Sequence, residues 1–156
     1  MKYLLLIACF ITALTACDDD TKVCDLDTRT QVRARFRYPN PNNNNIEKDT
    51  AFPKLTLFAL NKDSIYKKAP NLSGMQFQLD RQTDSSRYYF QTDSTRIADT
   101  ITFRYTRQPH FISAGCGVVM YFNIDTVLST NHVIKSIVIT SKQVTEENEN
   151  TLILHF

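Results

Sequence analysis

Three arginines in the segment Thr30–Tyr38 combine a residue type and a spacing that could bind anions. Arg33, Arg35 and Arg37 alternate with small and apolar residues, and Arg29 continues their phase. Alternation with a period of two predicts a strand with one buried face, so the arginines share the other face. A guanidinium group binds phosphate and carboxylate groups through two parallel hydrogen bonds. The stripe is therefore a candidate anion- or glycan-binding face, although a solvated outer sheet face explains the same pattern and is the preferred interpretation.

The thiol of Cys17 stands at the end of an apolar N-terminal run. Lys2 supplies a positive start, and the stretch Tyr3–Leu14 is shorter than the roughly 20 apolar residues that a permanent spanning helix requires. Residues 14–17, LTAC, resemble a bacterial lipobox. In that motif small residues let the backbone enter a signal peptidase, and the thiol forms a thioether to diacylglycerol. We predict a lipoprotein signal peptide over residues 1–16 and a lipid anchor on Cys17.

The remaining cysteines predict a disulfide. Of the four cysteines, Cys9 leaves with the signal peptide and Cys17 carries lipid, so Cys24 and Cys116 remain. Outside the cytoplasm such a pair is typically oxidised. The alternative is a reactive thiol, which requires a nearby base and a lowered pKa. We predict the structural Cys24–Cys116 bridge.

Groups that could carry catalysis are scattered along the chain. His110, His132 and His155 belong to no metal-binding motif, and three glycines in 156 residues form no phosphate-binding loop. Asp25 and Asp27 lack the rest of a calcium loop. We predict no metal, no cofactor and no enzymatic activity. A hydrolase is the alternative only where two acids, or a histidine and an acid, meet in a cleft.

The charge of the chain argues against nucleic acid as a partner. The formal net charge is +2, and it falls to about +1 without residues 1–16, because Lys2 is the only charged residue among them. Nucleic-acid-binding domains are typically far more basic.

The rest of the chain predicts a tether followed by one β domain. Residues 17–27 are acidic and short of large side chains, and residues 28–156 contain short β-branched and aromatic runs separated by turn residues. We predict an all-β fold, an antiparallel β-sandwich of immunoglobulin-like type with about seven to eight strands. A small barrel is the alternative. The segment Val133–Thr145 also fits helical spacing, but its β-branched residues favour a strand. The segment Pro39–Asn45 predicts an exposed loop.

A recurring tripeptide, Asp followed by Ser or Thr and then a small or aliphatic residue, resembles the acceptor motif for O-glycosylation of exported proteins in Bacteroidota. The same tripeptide is also ordinary for a turn that leads into a strand. Glycans at these positions would make loops more soluble and carry no chemistry. The five candidate acceptors are Thr50, Ser64, Ser94, Thr100 and Thr126.

Three segments carry a resemblance to a known family: LFALNKDSIY at residues 57–66, DTITFRY at residues 99–105 and FISAGCGV at residues 111–118, together with Cys24. With them the chain resembles a small uncharacterised lipoprotein family of Bacteroidales, a domain of unknown function. The resemblance implies an exported β-rich domain without a known activity. In that bacterial group, acidic residues directly after the lipidated cysteine, here Asp18–Asp20, resemble a signal for export to the outer leaflet. In enterobacteria an aspartate at this position instead favours retention in the inner membrane, so the interpretation depends on the source of the chain.

These patterns predict an outer-membrane, surface-exposed lipoprotein whose β-sandwich is a non-catalytic interaction or structural module. The expected partners are the membrane, through the lipid anchor, and a surface glycan or protein. The alternative is a surface protein that binds glycans or anions through the arginine stripe.

Overall fold

The computed structural model describes residues 24–40, 43–147 and 149–156, with the backbone alone for residues 40 and 43–46. The predicted signal peptide, Cys17 and the first part of the tether lie outside the described residues. The described part contains no helix, and hence none that could cross a bilayer. Its strands are β1 (Val32–Asn40), β2 (Asn43–Asp49), β3 (Leu55–Ala59), β4 (Ser64–Ala69), β5 (Gly74–Phe77), β6 (Ser85–Gln91), β7 (Asp99–Ser113), β8 (Gly117–Ser129), β9 (Ser136–Ile139), β10 (Gln143–Val144) and β11 (Leu152–His155).

Two curled sheets pack face to face, which confirms the predicted all-β sandwich. One sheet has the order β2-β1-β11-β9, with β5 also paired to β1, and the other has the order β10-β8-β7-β6-β3-β4. The described part has eleven strands instead of seven or eight. One addition is β10, which has only two residues. Another is β2, which begins inside the predicted loop Pro39–Asn45 because pairing with β1 outweighs the turn preference of asparagine.

Strand β1 lies at the centre of its sheet. On one side Arg35 pairs with Ile153 in a parallel ladder with β11, and on the other side β5 and β2 follow one another along the strand. The approach of β5 requires a glycine, because a Cβ on Gly74 would lie 2.6 Å from the carbonyl oxygen of Ala34. In this register Arg33 lies opposite Gln76, and Arg35 lies opposite Gly74.

The core lies between the sheets and is rich in aromatic rings. The ring of Phe36, from the inner face of β1, lies 5.3 Å from Phe52, 5.8 Å from Phe156 and 5.9 Å from Phe90, centroid to centroid. These tilted and edge-to-face pairs are the arrangements that aromatic quadrupoles favour. The alternation seen in the sequence thus buries Phe36 and leaves the arginines of β1 outside.

The hairpin formed by β7 and β8 is the longest feature of the fold. Its strands have 15 and 13 residues, and they pair from Ile101 opposite Ser129 to Ser113 opposite Gly117. At its tip Cys116 forms the predicted disulfide with Cys24, with 4.6 Å between the Cα atoms. The bridge ties the start of the described chain to the tip of this hairpin.

Candidate functional site

The arginine stripe occupies the outer face of the five-stranded sheet. Arg35 is exposed, whereas Arg33 and Arg37 are half-buried. Across the strands Arg35 lies opposite Gly74 of β5, which has no side chain, and opposite Ile153 of β11. The structure brings the three predicted residues together on one face, and Arg35 is the most accessible of them.

Arg37 already has anionic partners within the fold. Its Nη1 lies 3.1 Å from Oε2 of Glu47, and its Nε lies 3.5 Å from Oδ1 of Asp49. The hydrogen bond from Arg37 holds the pKa of the Glu47 carboxyl below its ordinary value, and His155 Nε2 lies 2.9 Å from the other oxygen of Glu47. Both acids lie on β2, which pairs with β1. The charge of Arg37 is therefore balanced within the fold and contributes less to an external anion site.

Arg29, which continues the phase of the stripe in the sequence, has a separate role. It precedes β1 and donates from Nε and Nη2 to the two oxygens of Asp27, at 2.9 and 2.8 Å. The hydrogen bond from the Arg29 side chain lowers the pKa of Asp27 to about 2. This exposed pair engages the Arg29 guanidinium before β1 begins, and it leaves Arg29 outside the candidate site.

Two shallow cavities flank Arg35. The first, of about 550 Å³, is also lined by Arg33, Asp49 and Tyr66. The hydroxyl of Tyr66 accepts from the backbone N–H of Gln76 and donates to its carbonyl, both at 3.1 Å, and so caps the outer edge of β5. The second cavity, of about 370 Å³, lies towards β11 and is also lined by Arg37, Thr140 and Glu149. Arg35 thus stands between two concave surfaces that mix both charges.

A third cavity, of about 1070 Å³, lies at another edge of the sandwich, near the β3–β4 turn. Lys62 Nζ lies 3.1 Å from Asp80 Oδ2 within it. The Tyr105 hydroxyl donates to the Asp80 carbonyl oxygen at 2.9 Å and lies 2.6 Å from Ser86 Oγ, which accepts from the Asp80 N–H. The backbone N–H of Gln82, followed by Lys62, lowers the pKa of the Asp80 carboxyl. These polar groups bind one another, which favours a structural role for the cavity wall.

The three histidines stand in three different surroundings. His110 stacks on Tyr121 with 4.4 Å between ring centroids, His155 contacts Glu47, and His132 Nδ1 lies 3.1 Å from the carbonyl oxygen of Ala98. Among the residues that the structure describes, no three His, Cys, Asp or Glu side chains form a group that could hold a metal ion.

Sequence reasoning missed the most heavily bonded carboxylate of the described chain, Asp99. Its side chain is fully buried, and each oxygen accepts two hydrogen bonds from the segment that follows β8. Oδ1 accepts from Thr130 Oγ1 and His132 N, both at 2.7 Å, and Oδ2 accepts from Val133 N at 2.8 Å and Ile134 N at 2.9 Å. Burial acts to raise the pKa of Asp99, but the backbone donors outweigh it, and the net pKa is lowered.

The Asp99–His132 contact is structural by its geometry. Nδ1 of His132 lies 3.4 Å from Oδ1 of Asp99, while that oxygen already accepts two shorter hydrogen bonds. In a catalytic triad, by contrast, the carboxylate orients the imidazole and a hydroxyl nucleophile contacts the other ring nitrogen. Here Nδ1 of His132 is shared with the carbonyl oxygen of Ala98, which lies closer, at 3.1 Å.

The candidate O-glycosylation residues differ in exposure. Ser64, Ser94 and Thr126 are exposed, whereas Thr50 and Thr100 are half-buried. The aspartate before Thr100 is the buried Asp99, so this copy of the tripeptide has a structural function in the fold. Glycosylation at the five positions stays a prediction.

The described chain thus forms a disulfide-bonded, all-β sandwich domain with an arginine-bearing outer face. A model of a family of unknown function, DUF6452, matches residues 54–156, and the chain belongs to this family. The match begins between β2 and β3, and it includes the β7–β8 hairpin and Cys116. No curated protein and no solved structure matches the chain.

Proposed function

We propose that this protein is a lipoprotein of the outer membrane, of the kind found in Bacteroidales, that is exposed at the cell surface and anchored by acylated Cys17. Its β-sandwich acts as a non-catalytic interaction or structural module. The LTAC motif at residues 14–17 is the observation that carries the proposal, because residue types, position and apolar flank agree. The acidic residues Asp18–Asp20 favour the outer leaflet.

The Cys24–Cys116 disulfide supports export. Disulfides persist in oxidising compartments and are rare in the cytosol. The bridge also uses the two cysteines that remain after signal removal and acylation, which fits the expected order of processing. For the sandwich, the mutual hydrogen bonding of polar groups around the cavity near the β3–β4 turn favours a module without catalysis.

Replacement of Cys17 with alanine should abolish lipid labelling and release the protein from membranes. The change removes the only thiol that can form the thioether, and stable anchoring depends on the acyl chains. Metabolic labelling with a fatty acid and fractionation of membranes measure both effects, and protease treatment of whole cells reports surface exposure. Cys9→Ala is the matched control, since that cysteine lies inside the predicted signal peptide. Continued anchoring of the Cys17→Ala protein would contradict the proposal.

A second candidate function is binding of an acidic glycan or another anion at Arg35. The supporting observation is the exposed position of Arg35 between two cavities of about 550 and 370 Å³. Arg37 is balanced by Glu47 and Asp49, so Arg35 supplies the larger part of any external attraction. Shallow, open cavities suit an extended ligand better than a small enclosed one.

The variant Arg35→Ala should bind dextran sulfate about tenfold more weakly, which corresponds to a loss of about 1.4 kcal/mol. The expected cause is the loss of charge-assisted hydrogen bonds to sulfate oxygens. Isothermal titration calorimetry at constant salt measures the change. Arg104→Ala is the control, because Arg104 is also exposed but lies on the other sheet. Equal losses in the two variants would indicate nonspecific attraction and contradict a site at Arg35.

A further inference from the structure

The tip of the β7–β8 hairpin carries exposed apolar side chains beside the disulfide. Phe111 and Val118 lie directly opposite one another across the two strands, and each is 63% exposed. Residues opposite one another in an antiparallel pair project to the same side, so these two side chains form one patch. Leu26, two positions after Cys24, is 60% exposed. Three of the large exposed apolar residues of the described chain thus stand within five positions of a bridged cysteine.

The covalent structure places this tip close to the proposed lipid anchor. Cys17 precedes Cys24 by seven residues. A chain of that length spans at most about 25 Å, even when fully extended. The disulfide then joins Cys24 to Cys116 at the tip. The far end of the hairpin is much more distant, because Phe111 and Asp99 are twelve positions apart, which corresponds to about 40 Å along a strand.

We infer that the hairpin tip docks on the lipid bilayer, with Phe111 and Val118 inserted into the interfacial layer, and that the disulfide holds the sandwich upright on its anchor. This inference rests on the proposed acylation of Cys17. It adds an orientation: the tip faces the membrane and the opposite end of the sandwich faces away. The short tether to an acylated residue keeps this patch close to a bilayer, so a bilayer is the surface that the patch contacts. Apolar side chains that enter the membrane interface stabilise such contact.

Tryptophan fluorescence tests the inference, because the sequence contains no tryptophan. The acylated full-length mature protein is purified as single-tryptophan variants Phe111→Trp, Val118→Trp and Ile97→Trp. Each is reconstituted in vesicles of phosphatidylethanolamine and phosphatidylglycerol with a brominated phosphatidylcholine. Ile97 is the matched control, since it is 69% exposed and lies just before the start of β7, at the far end of the hairpin.

We expect about a twofold loss of fluorescence at positions 111 and 118, because an interfacial side chain enters the bilayer by roughly 5–10 Å and reaches the bromines. Tryptophan at position 97 should keep its intensity. Mass analysis of the acyl group and flotation of the vesicles test the anchor separately. If acylated protein floats with the vesicles while all three probes stay unquenched, docking is overturned and the lipoprotein proposal stands. Protein that carries no acyl group and does not float overturns both.

Discussion

Replacing Asp99 with asparagine should lower the free energy of unfolding by roughly 3–5 kcal/mol, because buried N–H groups lose a charged acceptor. The carboxylate accepts two hydrogen bonds at each oxygen. In either orientation the amide NH2 of asparagine faces donors. At the Oδ2 position it meets the N–H groups of Val133 and Ile134, and at the Oδ1 position it meets the N–H of His132. The Thr130 hydroxyl alone can rotate to accept.

Urea unfolding at pH 7 measures this loss. Asp93→Asn is the matched control, because Asp93 accepts from the N–H of Thr95 in an exposed turn, where an asparagine oxygen can accept the same bond. The control should change stability by less than about 1 kcal/mol. A loss of that small size for Asp99→Asn would contradict the role assigned to the buried carboxylate.

The difference between wild type and Asp99→Asn should also depend on pH. The folded-state pKa of Asp99 is lowered, so the carboxylate contributes its stability above the unfolded-state pKa, near 3.8. That contribution is lost as the pH falls through the lower folded-state pKa. We therefore expect a constant difference at pH 5–7 and a shrinking one below about pH 4. A difference that stays constant into strong acid would show that the charge of Asp99 is not the cause.

Loss of the Cys24–Cys116 disulfide should destabilise the domain by about 4.6 kcal/mol in the chain-entropy model, and measured losses are often smaller. The bridge joins residues 92 positions apart, so its removal greatly enlarges the unfolded ensemble. Few native contacts are lost directly, because the described residues 24–29 are mostly exposed. The effect should therefore appear as a lower denaturant midpoint with the folded spectrum preserved.

The double variant Cys24→Ser/Cys116→Ser, in a mature chain that carries Cys17→Ser, allows this measurement without free thiols. The wild-type domain with its disulfide reduced should have the same urea midpoint as this double variant. That comparison separates the loss of the bridge from the effect of the serine side chains. A difference below about 1 kcal/mol between oxidised and double-variant protein would contradict the entropic account.

Local patterns in the sequence were sufficient for the features that depend on neighbouring residues. The alternation at residues 32–38 predicts both faces of β1, because side-chain direction in a strand follows from position alone. The prediction of the Cys24–Cys116 pair assigns Cys9 to a signal peptide and Cys17 to a lipid anchor, and the structure confirms the bridge itself.

Features that depend on long-range register could not be read in the same way. The tripeptide that begins at Asp99 fits both an ordinary turn before a strand and a modification motif. The groups that donate hydrogen bonds to the Asp99 carboxylate lie 31 to 35 positions further along the chain. The acids that balance Arg37 come from β2, a segment whose asparagines predict a loop. In both cases the decisive interaction is set by which strands become neighbours, and one sequence does not specify this.

The parallel ladder between β1 and β11 has a kinetic consequence. Thr151, just before β11, accepts from the Arg33 N–H and donates to the Arg33 carbonyl oxygen across 118 positions of sequence. On the side that faces β11, strand β1 can therefore pair only after almost the whole chain has been synthesised. Such non-local pairing raises the contact order, and β-sandwiches of high contact order fold in milliseconds to seconds. On its other side β1 can pair earlier, with β2 and β5, so the parallel ladder with β11 is the part of this sheet that must form last.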